Sequence, residues 1–94
     1  MEIRYRTEII RNERQITAVL GEDRCELVKG LTQPDIKLPF VNNDKLIDIK
    51  FTYSFSEETR KTYVNFTLHR FVKNISTVEK LIEAADKLLE SYAK

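Results

Sequence analysis

Thr62-Tyr63-Val64-Asn65-Phe66-Thr67-Leu68-His69-Arg70-Phe71-Val72 is the stretch whose conformation decides the fold. Its β-branched and aromatic content favours a strand, which would place Val64, Phe66, Leu68, Arg70 and Val72 in one row. Its spacing favours a helix. Val64, Leu68, Phe71, Ile75, Val78, Ile82, Ala85, Leu89 and Tyr92 follow one another at alternating steps of four and three, the heptad spacing of an apolar helix stripe. The strand reading leaves an arginine in its own apolar row. Period therefore takes precedence over propensity, and a long C-terminal helix is expected, with a strand over 62–72 as the competing reading.

The flanks fit a helix start. Ser54-Phe55-Ser56-Glu57 and Ser56-Glu57-Glu58 put a hydroxyl at the N-cap and acids in the first turn. Asn74, Ser76 and Thr77 are weak helix formers, so a break is expected near 74–76. Ser76-Thr77-Val78-Glu79 is a capping box able to restart the helix, and 76–93 is helical on either reading. Leu81 and Leu88 widen the stripe, as in a helix packed on a sheet. Unbroken from Glu57 to Ala93, the helix would run about 55 Å at 1.5 Å per residue. The strand before it spans only about 33 Å. The surplus stripe would then need a partner, which makes Val64, Leu68, Phe71, Ile75, Val78 and Ile82 the expected partner-contact residues.

Upstream, Ile36, Leu38 and Phe40 alternate, Asn42-Asn43-Asp44 supplies turn residues, and Ile47, Ile49, Phe51, Tyr53 and Phe55 alternate again. This is a hairpin whose second strand should be central and whose first, with Pro39, belongs at an edge or bulge. Residues 2–10 alternate as a half-buried strand. Residues 12–20 read either as a short helix through Ile16, Val19 and Leu20 or as the return strand of a hairpin turning at Asn12-Glu13. The helix is favoured. Cys25, Leu27 and Val28 add a helical turn ending at Gly30. The expected fold is α+β in one domain spanning 1–94, with a three- or four-stranded antiparallel sheet, helices on one face and the order β-α-β-β-α.

Composition narrows the function. Of 94 residues, 41% are apolar and 33% charged, a globular balance in a chain too short for two cores. The net charge is +1, spread evenly except for residues 56–74, where four basic residues meet two acids. That is less than a dedicated duplex-DNA binder carries. One cysteine, Cys25, allows no internal disulfide. MEIRYRTEIIR has no apolar core of a signal peptide, and no apolar run reaches membrane-span length. A cytoplasmic location without membrane contact is expected.

Chemistry finds little footing. His69 and Cys25 are the only soft ligands, too few for a zinc site. No GxSxG or glycine-rich phosphate loop occurs, and pairs such as Glu57-Glu58 suit solvated turns. No catalytic residue, metal or cofactor is expected. On the helical reading Lys61, Asn65, His69 and Lys73, with Arg70 beside them, form one basic row. Such a row is either a solvated face or a set of contacts to phosphate or an acidic subunit, with Lys61, His69, Arg70 and Lys73 as the charged members.

The hairpin strand LIDIKFTYSF followed by a helix opening KTYVNFTL resembles the small Pcc/CTAG-type subunit of the KEOPS complex, which helps make threonylcarbamoyl-adenosine in tRNA. That family's final helix begins with a basic residue followed by Val-Asn-x-x-Leu, matched here by Lys61 and Val64-Asn65-Phe66-Thr67-Leu68. The match covers residues 35–75. Residues 12–20 are shorter than the family's first helix, two extra residues precede Lys61, and the C-terminal extension is longer. The resemblance implies a non-catalytic subunit that pairs through its helices, docks on the complex's transferase and contacts tRNA indirectly.

The favoured function is thus an assembly or dimerisation subunit, binding a protein partner, itself, or both. A nucleic-acid-binding module is the first rival, with Tyr63, His69, Phe71 and Lys50 on an exposed sheet face if 62–72 is a strand. A phage or mobile-element protein inhibiting a host factor is the second.

Overall fold

The computed structural model describes residues 4–21, 24–31, 35–42, 45–69 and 74–92. Among the described residues, five strands and two helices follow one another: β1 (Arg4–Ile10), β2 (Glu13–Leu20), α1 (Cys25–Lys29), β3 (Asp35–Asn42), β4 (Lys45–Ser56), β5 (Lys61–His69) and α2 (Ile75–Tyr92). The fold is α+β, with one antiparallel sheet in the order β1-β2-β5-β4-β3.

Two expectations are corrected together. Lys61–His69 is a strand, the middle one of the sheet, and 13–20 is a strand instead of a helix. The sheet therefore has five strands, and the order is β-β-α-β-β-β-α. Thr62, Val64, Phe66 and Leu68 alternate inward on β5, and Ile16, Ala18 and Leu20 do so on β2. The registers place Ile16 opposite Phe66 and Ala18 opposite Val64, so the two rows form one apolar surface. β5 is described as far as His69; Arg70, the arginine that counts against the strand, lies outside the described residues.

The hairpin expectations hold where they were sharpest. β3 pairs with β4 from Asp35 opposite Thr52 to Asn42 opposite Lys45, and β3, which contains Pro39, forms one edge. β4 has a neighbour on both sides. The Ser56 hydroxyl caps no helix; its Oγ accepts the Thr59 N–H at 3.4 Å inside the β4–β5 turn. That turn is completed by Arg60 at φ 60°.

α2 starts at Ile75, so 74–76 is a helix start and not a break within a longer helix. Asn74 Oδ1 accepts the Ser76 N–H at 2.9 Å, and the Asn74 carbonyl accepts from Thr77 and Val78. This is an asparagine N-cap, two residues before the serine of the expected capping box. Val78, Leu81, Ile82, Ala85 and Leu89 are buried on the sheet, as the stripe predicted. The 18-residue helix is about 27 Å long at 1.5 Å per residue. The nine residues of β5 span about 30 Å. Helix and sheet match in length, and the expected overhang does not exist.

The core is closed by Phe51 and Phe66, whose rings meet edge to face at 5.3 Å and 82°. α1 fills one end through Cys25 and Val28, with the buried Thr62 hydroxyl donating to Cys25 Sγ at 3.3 Å. Arg24 joins α1 to α2 by a forked pair to Asp86, Nε–Oδ1 2.9 Å and Nη2–Oδ2 3.1 Å, with Glu90 as a further partner.

Candidate interaction surface

Both helices lie on one face of the sheet. The alternation that turns Ile16, Val64 and Phe51 inward turns the intervening residues to the opposite, open face. There Val19 stands opposite Tyr63, Thr17 opposite Asn65, and Gln15 opposite Thr67. The Thr17 hydroxyl donates to Asn65 Oδ1 at 2.6 Å. The charges on this face are mixed. Arg4, Arg6, Lys37, Lys50 and Lys61 share it with Glu8, Glu13, Asp35 and Asp48, and Lys50 Nζ lies 3.9 Å from Asp35. The surface is polar without a dominant sign.

Apolar exposure is found toward one end of the strands. Ile9, Ile10, Val41, Leu46, Ile47 and Ile75 are between 38% and 70% exposed. The strand directions bring all six to one end of the molecule. β1 finishes at Ile10, β3 finishes just past Val41, β4 begins just before Leu46, and α2 starts at Ile75. Ile9-Ile10 and Leu46-Ile47 are adjacent apolar pairs. In a strand, neighbours point to opposite faces, so each pair shows one side chain on either side of the sheet.

Sequence reasoning missed five of these six. The available signal was the break in alternation beside each hairpin turn, where a second apolar residue has no core to enter.

The expected contact residues fare differently. Val64, Leu68, Val78 and Ile82 are buried within the chain's own core, because β5 and α2 pack against each other. They offer nothing to a partner while the domain is folded. Ile75 is exposed, and Phe71 lies outside the described residues. The basic row is dissolved by the strand: Lys61 and His69 are exposed at opposite ends of β5, and Arg70 and Lys73 lie outside the described residues. Tyr63, Lys50 and His69 share the open face, as the nucleic-acid rival required of a strand; Phe71 is again outside the description.

Among the described residues, no group of three or more His, Cys, Asp or Glu side chains is placed to hold a metal ion. No described helix is long and apolar enough to cross a membrane. KTYVNFTL, which carried the resemblance to the KEOPS subunit as the opening of a helix, lies in β5. No protein-family profile, curated protein or solved structure matches the chain.

Proposed function

We propose that the chain is a non-catalytic assembly subunit that docks on another protein through the apolar end of its sheet. The observation that supports this is the exposed cluster Val41, Leu46 and Ile47 at the tip of the β3–β4 hairpin, where Val41 stands directly opposite Leu46, with the exposed Ile9, Ile10 and Ile75 toward the same end of the strands. Scattered exposed aliphatics are ordinary, whereas grouped ones mark contact sites. The reading needs neither an overhanging helix nor a family resemblance.

The test is retention of native partners by the wild-type chain and by a Leu46→Asp/Ile75→Asp variant. Both positions are exposed, so the variant keeps its fold by circular dichroism and loses the partner. A folded variant that still retains the same partner overturns the docking site.

A nucleic-acid role has one observation in its favour, the presence of Tyr63, His69 and Lys50 on the open face. Lys50 is engaged by Asp35, and the face has almost as many acids as bases, which weakens phosphate attraction. Absence of single-strand retention at low salt removes this reading.

A further inference from the structure

We infer that β1 is a self-pairing edge, so that two copies of the chain join antiparallel through Arg4–Ile10 into one continuous ten-stranded sheet. The inference goes beyond the docking proposal: it names a second copy as partner and a different surface, the β1 edge.

The two edges of the sheet are built differently. On β3 the edge contains Pro39, which has no N–H to offer an incoming strand and is a common edge guard. β1 has seven residues, no proline, and no strand on its outer side among the described residues. It is also poorly covered from above and below: every residue but Tyr5 is exposed. Thr7 and Ile9 lie on the helix side of the sheet, yet α2 leaves them open.

Backbone geometry decides which groups face outward. The β1–β2 hairpin closes over two residues, Arg11 and Asn12, with Ile10 opposite Glu13. A two-residue turn closes on a hydrogen-bonded pair, and bonded pairs alternate along the ladder. Arg4, Arg6, Glu8 and Ile10 therefore bond to β2, and Tyr5, Thr7 and Ile9 direct their N–H and C=O groups to the free edge.

A two-fold axis perpendicular to the sheet keeps like faces together, so opposed residues must have the same parity. Centred on Thr7, the axis sets Thr7 against Thr7 of the second copy, Tyr5 against Ile9, and Arg6 against Glu8. All three outward-facing residues then find bonding partners. On the open face both cross-seam Arg6/Glu8 pairs join opposite charges. On the helix side each exposed Ile9 covers a half-buried Tyr5. Sliding by one allowed step centres the axis on Arg6 or Glu8 and opposes two identical charges, which cross-strand pairing disfavours. The strand is thus self-complementary in one register, as an isologous contact requires.

One strand seam is a small interface, so sedimentation at high micromolar concentration is the appropriate measurement. The wild-type chain is expected at twice its 11.1 kDa mass. Arg6→Glu and Glu8→Arg each oppose like charges twice and weaken the dimer by about tenfold. The Arg6→Glu/Glu8→Arg double variant restores complementarity and the dimer. Thr7→Cys, facing its own copy at about 5.5 Å between Cα atoms, becomes a disulfide-linked dimer under mild oxidation; Asn65→Cys, in the middle of the sheet, does not. The native Cys25 is buried and does not interfere.

A chain that is monomeric at every concentration overturns the inference. So does a dimer indifferent to the charge exchanges and not linked by Thr7→Cys, which places self-association elsewhere. The Leu46→Asp/Ile75→Asp variant separates the two proposals. Losing a foreign partner while remaining dimeric supports both, whereas failure of the β1 variants alone leaves the apolar end untouched.

Discussion

The Tyr53 hydroxyl in β4 donates a 2.6 Å hydrogen bond to the Ala85 carbonyl in α2, fastening the helix to the sheet from inside the core. Tyr53 is buried, and its ring supplies apolar area while its tip finds an acceptor, the usual condition for burying a phenol. Replacing Tyr53 by Phe keeps the packing and removes the bond. The expected loss is about 1 kcal/mol, typical of one buried hydrogen bond, read as a lower urea midpoint with an unchanged slope.

The same contact gives a signed pH dependence. Burial pushes the Tyr53 phenol well above its ordinary value, and the Asp86 carboxylate adds to the shift. The folded state therefore holds the neutral phenol, while the unfolded chain ionises near pH 10, the ordinary tyrosine value. Tyr53's contribution is complete below about pH 10 and declines as pH rises above it. Urea midpoints of the wild type should fall more steeply above that pH than those of Tyr53→Phe. Parallel curves would show that the phenol is not the group responsible.

Arg24 ties the residue before α1 to the C-terminal half of α2. Its guanidinium meets Asp86 through two nitrogens and is partly buried, so planar, forked geometry counts beyond charge. Arg24→Ala is expected to cost about 1 kcal/mol, the upper range for pairs still in contact with solvent. Arg24→Lys should recover little of it, because an ammonium cannot reproduce the fork. Full recovery by lysine, checked by denaturation at low salt, would reduce the contact to simple charge attraction.

How far the sequence could be read depends on which periods its residues satisfy at once. Val64 and Leu68 are four apart, a spacing shared by a helix face and a strand row, so they belonged to both patterns. Phe66 and Thr62 break the tie in the folded chain, yet Phe66 lies off the heptad stripe and Thr62 is polar. Thr62 is nevertheless buried, its hydroxyl satisfied by Cys25 Sγ. On β2 the inward row is Ile16, Ala18 and Leu20, and alanine is too weak a marker to display alternation. α2 and the β3–β4 hairpin were legible because large apolar residues fill nearly every inward position. The apolar end was not, since it depends on strand directions that bring residues far apart in sequence to one place.

Arg11 and Gly30 each occupy a backbone position that another residue would suit better. Arg11 holds φ 59° in the β1–β2 turn, a conformation that costs L-residues about 1–2 kcal/mol. It is the first residue of a two-residue hairpin turn, a place where glycine takes a positive φ at no steric cost. Gly30, by contrast, ends α1 at φ −79°, ψ −5°, and an added Cβ would lie 3.5 Å from the Leu27 carbonyl oxygen, an ordinary contact. Gly30→Ala is expected to stabilise by about 0.4–1 kcal/mol through the unfolded chain. Arg11→Gly should add up to about 1 kcal/mol, the relief being offset in part by glycine's greater freedom when unfolded. Thermal midpoints of both variants and of their combination provide the check, and the effects should add because the sites are distant.

Leu68 and Ile75 fall in one stripe by sequence spacing and in opposite environments by structure. Leu68 ends the inward row of β5 and is buried, while Ile75 opens α2 and is largely exposed. Leu68→Ala removes buried methyl groups and leaves a cavity, so a loss of about 2–5 kcal/mol is expected. In a domain of this size that is a large share of the total stability. Ile75→Ala should change stability by less than about 0.5 kcal/mol, as surface substitutions generally do. Similar denaturation midpoints for the two variants would mean that Leu68 is not in the core and that Lys61–His69 does not pair as the central strand. A large separation places the strand where the sheet requires it and leaves Ile75 free for contact with a partner.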